Sequence, residues 1–204
     1  MAVAVRLFTE MLAQQMSVLA RLLEAIEETG ARYALVGGHA VSVHTRPRLT
    51  VDVDVVVEAR KQAAIERAVA ARDFRIQRDR DVLRLFEASD PGSSAVADLL
   101  LSDSHAVWAE ALRTATPAVY QGQKLPLATA AALVAMKFVA ATSSDRPQED
   151  RLQDVSDISR LVKARWTDAD AVETRRIAEL AHPGAADELD RLIADLLAGR
   201  PVTI

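Results

Sequence analysis

Two aspartates stand inside a run of valines. The segment Val-Asp-Val-Asp-Val-Val-Val at 51–57 reads as a β-strand with Asp52 and Asp54 two positions apart. Successive side chains of a strand point to opposite faces, so the two carboxylates share one face while Val51, Val53 and Val55 fill the other. Carboxylates this close repel, and a divalent cation removes that cost; hard cations such as Mg2+ take oxygen ligands. A third aspartate, Asp98, interrupts the apolar run Ala-Val-Ala-Asp-Leu-Leu-Leu in the same way. If the two strands are neighbours, three carboxylates converge, enough to hold two Mg2+ ions that activate an attacking oxygen and stabilise a leaving phosphate. Gly37-Gly38 closes an earlier apolar run and is separated from Asp52 by thirteen residues. A glycine pair lets a strand turn tightly into a helix, whose first N–H groups can then approach phosphate oxygens.

Positioning these groups requires a sheet. Apolar side chains at helical spacing over 3–29, with Gly30 as a stop, predict an N-terminal helix. A short buried strand at 33–36 leads through the glycines into a helix at 38–45. Strands follow at 51–57, 74–77, 82–87 and 95–101, with helices at 60–72 and 103–113 and an extended pair over 117–126 around Gly122. From 128 onward the pattern is helical: 129–142, 149–163, 168–181 and 185–198. The expected fold is α+β, a small mixed sheet flanked by helices with a helical C-terminal part, divided into a core at 1–127 and a helical region at 128–204.

Composition narrows the class. Half of the 204 residues are hydrophobic, the formal charge is −4, and there is no cysteine. A sizeable core is within reach, and a disulfide frame, a thiolate zinc site and a cysteine nucleophile are excluded. No run approaches the roughly 18 apolar residues of a membrane span, and Glu10 comes too early for a signal peptide, so a cytoplasmic protein is expected.

The finer string Gly-Gly-His-Ala-Val-Ser-Val-His-Thr-Arg-Pro-Arg-Leu-Thr-Val-Asp-Val-Asp, with Arg48 and Thr50 ahead of Asp52, resembles the nucleotidyltransferase superfamily built on a polymerase-β-like core. Within it the string is similar to the bacterial branch of AbiE-type toxins from toxin–antitoxin systems. A second signature of that branch is a lysine in an apolar helix, an arginine loop, then Lys-Asp-x-x-Asp-Ile/Leu. Here it reads Lys137, Arg146 and Gln153-Asp154-Val155-Ser156-Asp157-Ile158, departing at Gln153. The resemblance covers roughly 33–162. It implies metal-dependent transfer of a nucleoside monophosphate from an NTP, with pyrophosphate released. Asp52, Asp54 and Asp98 would be catalytic residues and ligands for Mg2+, two ions by the family's pattern. Asp98 would also serve as base. Gly37 and Gly38 would line the triphosphate, with Arg48 and Lys137 in the nucleotide site. Asp154 would orient Lys137 or touch the nucleotide or acceptor. The implied acceptors are tRNA ends, protein hydroxyls and aminoglycoside-like small molecules, and a cognate antitoxin is the implied partner.

Plainer readings stand beside these. Asp52 and Asp54 could guard a sheet edge, Asp98 could cap a turn, and Lys137 could snorkel to solvent. Asp154 and Asp157 could pair on a helix surface with Arg151 and Arg160. The i, i+5 spacing of His39 and His44 is wrong for a shared metal on one helical face. Arg72, Arg75, Arg78, Arg80 and Arg84, among Asp73, Asp79 and Asp81, read as a solvated hairpin or as an RNA-backbone patch. The alternative function is a nucleotide- or partner-binding module that does not turn over.

Overall fold

The computed structural model describes residues 17–202, apart from positions 49, 51, 91, 93 and 165. Helix α1 (17–28) buries Leu19, Leu22, Leu23 and Ile26, the stripe that predicts it, and the chain leaves it at Gly30 with φ +65. The rest of the predicted 3–29 helix and the orientation of Val51 lie outside the described residues.

The chain then runs through β1 (Tyr33–Leu35), α2 (Gly37–His44), β2 (Val53–Val57), a 3-10 turn (Ala59–Lys61) continuing into α3 (Gln62–Ala70), β3 (Phe74–Asp79), β4 (Val82–Glu87), β5 (Ala97–Leu101) and α4 (Ala106–Thr114). Next come β6 (Thr116–Tyr120), β7 (Gln123–Leu127), α5 (Ala130–Thr142), α6 (Gln148–Ala164), α7 (Asp168–Ala178) and α8 (Ala185–Ala198). The order matches the sequence expectation; differences fall at the ends of elements. The helix expected from 103 begins at 106 because the His105 side chain accepts the Val107 N–H and caps it there. The helix expected to 181 stops at 178, where the Leu180 N–H turns back to the Ile177 carbonyl.

The seven strands form one mixed sheet in the order β3-β4-β5-β2-β1-β7-β6. β2 lies between β1, to which it is antiparallel, and β5, to which it is parallel. On one face Val53, Val55, Ala97, Leu99, Leu83 and Leu85 are buried. That face carries α1 and α3: Arg21 of α1 lies over Phe74 and pairs with Glu87, and Glu66 of α3 takes Arg78. One continuous apolar cluster joins this side to α5, α6, α7 and α8, running from Val18 to Leu192. α5 starts at the expected cap, where the Thr129 hydroxyl accepts the Ala132 N–H.

Candidate active site

The two acidic strands are adjacent, parallel and in register, with Asp54 directly opposite Asp98. In-register residues of neighbouring strands project from the same face, so the same alternation that buries the valines and leucines brings the aspartates together on the other side. Asp52 sits at the bend just before β2. One carboxylate oxygen from each of Asp52, Asp54 and Asp98 lies within 4.8 Å of the others, the only such potential metal cluster among the described residues. Oδ1 of Asp98 is buried and has no hydrogen-bond partner among them. Three half-buried carboxylates with an unmatched oxygen are a donor set that fits a hard divalent cation.

The glycine turn is built against this cluster. Gly37 has φ +61, and a Cβ there would stand 1.8 Å from Oδ2 of Asp54. A Cβ on Gly38 would meet Thr50 Oγ1 at 2.5 Å and Arg48 Nη2 at 2.7 Å. The Val36 N–H donates to the Asp54 carbonyl at 3.0 Å, and the Gly38 N–H donates to the Asp54 carboxylate. The pair is therefore required twice, for its backbone conformation and for the space that the acid and the arginine occupy. Gly37→Ala should cost about 3 kcal/mol or more, since the new methyl meets β2 on a strained backbone. A urea melt showing a loss below 1 kcal/mol, on the order of a surface change, would remove the turn from this account.

Electrostatics follow from crowding. Burial, then the charges of Asp52 and Asp98, push the Asp54 carboxyl up to about 7, against the pull of Lys137 and the Gly38 N–H. Burial and Asp52 also raise Asp98, opposed by Arg84 and Arg146. Asp54 and Asp98 are thus both biased toward protonation in the absence of a cation.

Beside it lies a second constellation. Asp157 on α6, 0% exposed, accepts two hydrogen bonds from Arg48, from Nε at 3.0 Å and Nη2 at 2.8 Å. It also takes Lys137 Nζ of α5 at 3.1 Å and the Gln153 amide at 3.3 Å. Lys137 donates to Asp154 at 2.7 Å, and Arg146 in the α5–α6 loop lies 3.4 Å from the same carboxylate. Desolvation works against the Lys137 charge, but Asp154 and Asp157 outweigh it and hold its pKa above the ordinary value. Two sequence expectations are corrected here. Lys137 does not simply snorkel, because two carboxylates hold its ammonium. Asp154 and Asp157 do not pair on the surface: Arg151 turns to the Ala141 carbonyl and Arg160 to the Arg46 carbonyl.

Asp157 belongs with the residues singled out from the sequence, which left it to the helix surface. Its signal was periodicity: Asp154, Val155, Asp157, Ile158, Leu161 and Val162 form one buried stripe, so both acids fall on the inward face. The histidines serve otherwise. His39 Nδ1 meets the Tyr120 hydroxyl at 2.6 Å and His44 Nε2 meets the Ala128 carbonyl at 2.8 Å. Burial lowers the His39 pKa to about 4, so its ring is neutral at ordinary pH.

A mixed sheet with neighbouring acidic strands beside a glycine turn places the chain among the nucleotidyltransferases. The solution structure of the antibiotic-resistance factor ANT(2'')-Ia superposes with a TM-score of 0.54 at 15% identity, covering 92% of this chain and 93% of that one. An antigenic nucleotidyltransferase-like protein from Paracoccidioides brasiliensis gives 0.52 at 20% identity, covering 92% and 88%. The lincosamide antibiotic adenylyltransferase LnuA, lincomycin-bound, gives 0.50 at 16%, covering 74% and 97%. At these identities the likeness is one of fold. Residues 21–200 match the family described as "Nucleotidyl transferase AbiEii toxin, Type IV TA system", and the chain belongs to that family. No curated protein matches it.

Proposed function

We propose that this chain transfers a nucleoside monophosphate from an NTP to an acceptor hydroxyl on RNA, a protein or a small molecule. The observation that carries the reading is the convergence of Asp52, Asp54 and Asp98 beside the Gly37-Gly38 turn. In this reading the three aspartates hold Mg2+, two ions in the fullest form, which would neutralise the triphosphate and the leaving pyrophosphate. The N–H groups of Gly37 and Gly38 at the start of α2 take phosphate oxygens. Asp98, on the side of the cluster away from that turn, accepts the proton of the incoming hydroxyl. Arg48 and Lys137 supply positive charge on the nucleotide side, and Asp154 with Asp157 fixes where that charge stands. Catalysis then consists mainly of alignment and charge neutralisation.

Family membership supports a toxin role, and with it we propose a cognate antitoxin. Among the described residues no helix is long and apolar enough to cross a membrane, which agrees with action in the cytoplasm. The decisive experiment supplies each α-labelled NTP with Mg2+ and, separately, RNA, protein extract or an aminoglycoside. Label should move to one acceptor class with release of pyrophosphate. Metal-dependent NTP binding with no pyrophosphate release over long incubation would leave only a binding module.

Lys137 gives a separate test. Lys137→Met should weaken binding of a non-hydrolysable NTP by about 1.5–3 kcal/mol, the range for a charged hydrogen bond. It should also lower the melting temperature, because Asp154 and Asp157 each lose a partner. Lys137→Arg should restore part of both. Unchanged NTP affinity in the Met variant would make Lys137 a structural ion-pair residue alone.

A further inference from the structure

The face of the sheet that carries the acids continues past them. β4 is antiparallel to β5, with Arg84 opposite Asp98, and β3 is antiparallel to β4, with Gln77 opposite Arg84 and Arg75 opposite Phe86. One row across four strands therefore reads Gln77, Arg84, Asp98, Asp54. Two residues further along β4, on the same face, the guanidinium of Arg75 lies over the Phe86 ring, 4.2 Å from its centroid. Arg75, Gln77 and Arg84 are exposed and Phe86 is half-buried. The opposite face of the same hairpin holds buried Phe74, Leu83 and Leu85, and Arg78 there is locked to Glu66 by two bonds of 2.8 and 2.6 Å.

Strand spacing sets the distances. Neighbouring strands lie about 5 Å apart, so Arg84 stands one spacing from Asp98 and two, about 10 Å, from Asp54. The present partner of Arg84 is Asp79, 3.2 Å away, with both side chains about half exposed. Such a surface pair is weak and readily exchanged for a stronger anion. The expectation that Asp73, Asp79 and Asp81 neutralise the five arginines holds for this one pair; Arg72 goes to Glu24 and Glu28, and Arg78 to Glu66.

We propose that the solvent face of β3–β4 seats the acceptor, and that the acceptor is the end of a single-stranded nucleic acid. A phosphate near the strand end lies against Arg84, and a nearby base stacks on the Arg75–Phe86 pair, since arginine planes and aromatic rings both take bases. The terminal ribose hydroxyl then reaches Asp98. Its oxygen forms a bond to the α-phosphorus of the NTP while the bond from that phosphorus to the bridging oxygen of the β-phosphate breaks. Pyrophosphate leaves, and the hydroxyl proton passes to the Asp98 carboxylate and on to solvent. A polycationic acceptor such as an aminoglycoside would meet repulsion from Arg84 and Arg75 on the same approach. The inference rests on the nucleotidyl-transfer reading above.

The test is binding of a short single-stranded RNA with a free 3′ end and a 5′ fluorophore, followed by anisotropy in Mg2+ without NTP. Arg84→Gln should weaken binding and reduce the slope of log K against log salt by about 0.7, one phosphate contact on a single strand, whereas Arg75→Gln, which removes half of the stacking pair, should weaken binding with a smaller change of slope. Phe86→Ala should weaken it about tenfold. Arg78→Gln removes the same charge from the opposite face and should leave binding as in the parent. A fluorescent NTP titrated into each variant should bind as it does to the parent. If the parent binds no Mg·NTP, the transfer reading and this inference both fall. If NTP binding is intact and Arg84→Gln and Phe86→Ala hold RNA like the parent, or Arg78→Gln weakens it equally, this inference alone falls. Tighter binding of tobramycin than of RNA to the parent would overturn it as well.

Discussion

In the absence of metal, Asp54→Asn should melt several degrees above the parent at pH 8 and yet transfer no nucleotide. Asp54 is held in the folded chain with its pKa near 7, first by burial and then by Asp52 and Asp98, against an ordinary value of 3.8. A carboxyl whose folded pKa is raised favours the folded state while it is protonated. Its contribution is therefore best below 3.8 and worsens as pH rises from there through about 7. At pH 8 the parent carries the full cost of an ionised, crowded Asp54, and asparagine removes it. Neighbouring acids share the strain, so the gain is put at about 2 kcal/mol, or roughly 4–8 °C in a chain of this size. The difference between variant and parent should shrink toward nothing as pH falls to 4. Added Mg2+ should raise the parent's melting temperature and leave the variant's nearly fixed, since one ligand is gone. Transfer should drop about a thousandfold or more, as for loss of a group that stabilises developing charge. A variant no more stable than the parent at pH 8, or equally active, would separate Asp54 from the cation site.

Much of this arrangement was legible in the chain. The period-2 pattern around Asp52 and Asp54 fixed which face they share, and the glycine pair marked the turn. The apolar run around Asp98 identified a strand like theirs, but no local pattern says which strands are neighbours. That β5 lies next to β2 in parallel, with Asp98 opposite Asp54, depends on crossovers through α3, β3 and β4 that only the assembled sheet reveals. The same limit hid Arg84, whose place beside Asp98 follows from β4–β5 register. The partners of Lys137 were hidden differently. Its site is closed by two helices, α5 and α6, and by the loop that carries Arg48, from three separate parts of the chain. Charge spacing within α6 suggested local pairs with Arg151 and Arg160, and tertiary contacts replaced them. Element ends moved because caps such as His105 decide them, one side chain at a time.

Asp157 is where the helical C-terminal part and the glycine-turn region are joined, and its loss should be the most damaging single change to stability outside the apolar core. Its carboxylate is 0% exposed and faces two cations, Arg48 through both guanidinium bonds and Lys137 through its ammonium. Removing one partner of a buried ion pair leaves the others desolvated without compensation, at about 3–5 kcal/mol. Asp157→Asn should therefore lower the melting temperature by roughly 6–20 °C, while nearly keeping the shape. Asp154→Asn should cost less. Its partner Lys137 retains Asp157, and its other partner, Arg146, is 45% exposed and can turn to water. The ordering matters more than either value. A local helix-surface role would make the two substitutions equal and small, within about 0.5 kcal/mol. The network also holds three cations, Arg48, Lys137 and Arg146, against two carboxylates, a surplus of one positive charge within electrostatic reach of the acid cluster. That surplus suits a triphosphate only while Arg48 and Lys137 stay where Asp157 holds them. Asp157→Asn should accordingly weaken binding of a non-hydrolysable NTP even though it removes a negative charge, the opposite of what simple electrostatics would give. Tighter NTP binding in the variant would show that Asp157 only opposes the phosphates and does not position the groups that bind them.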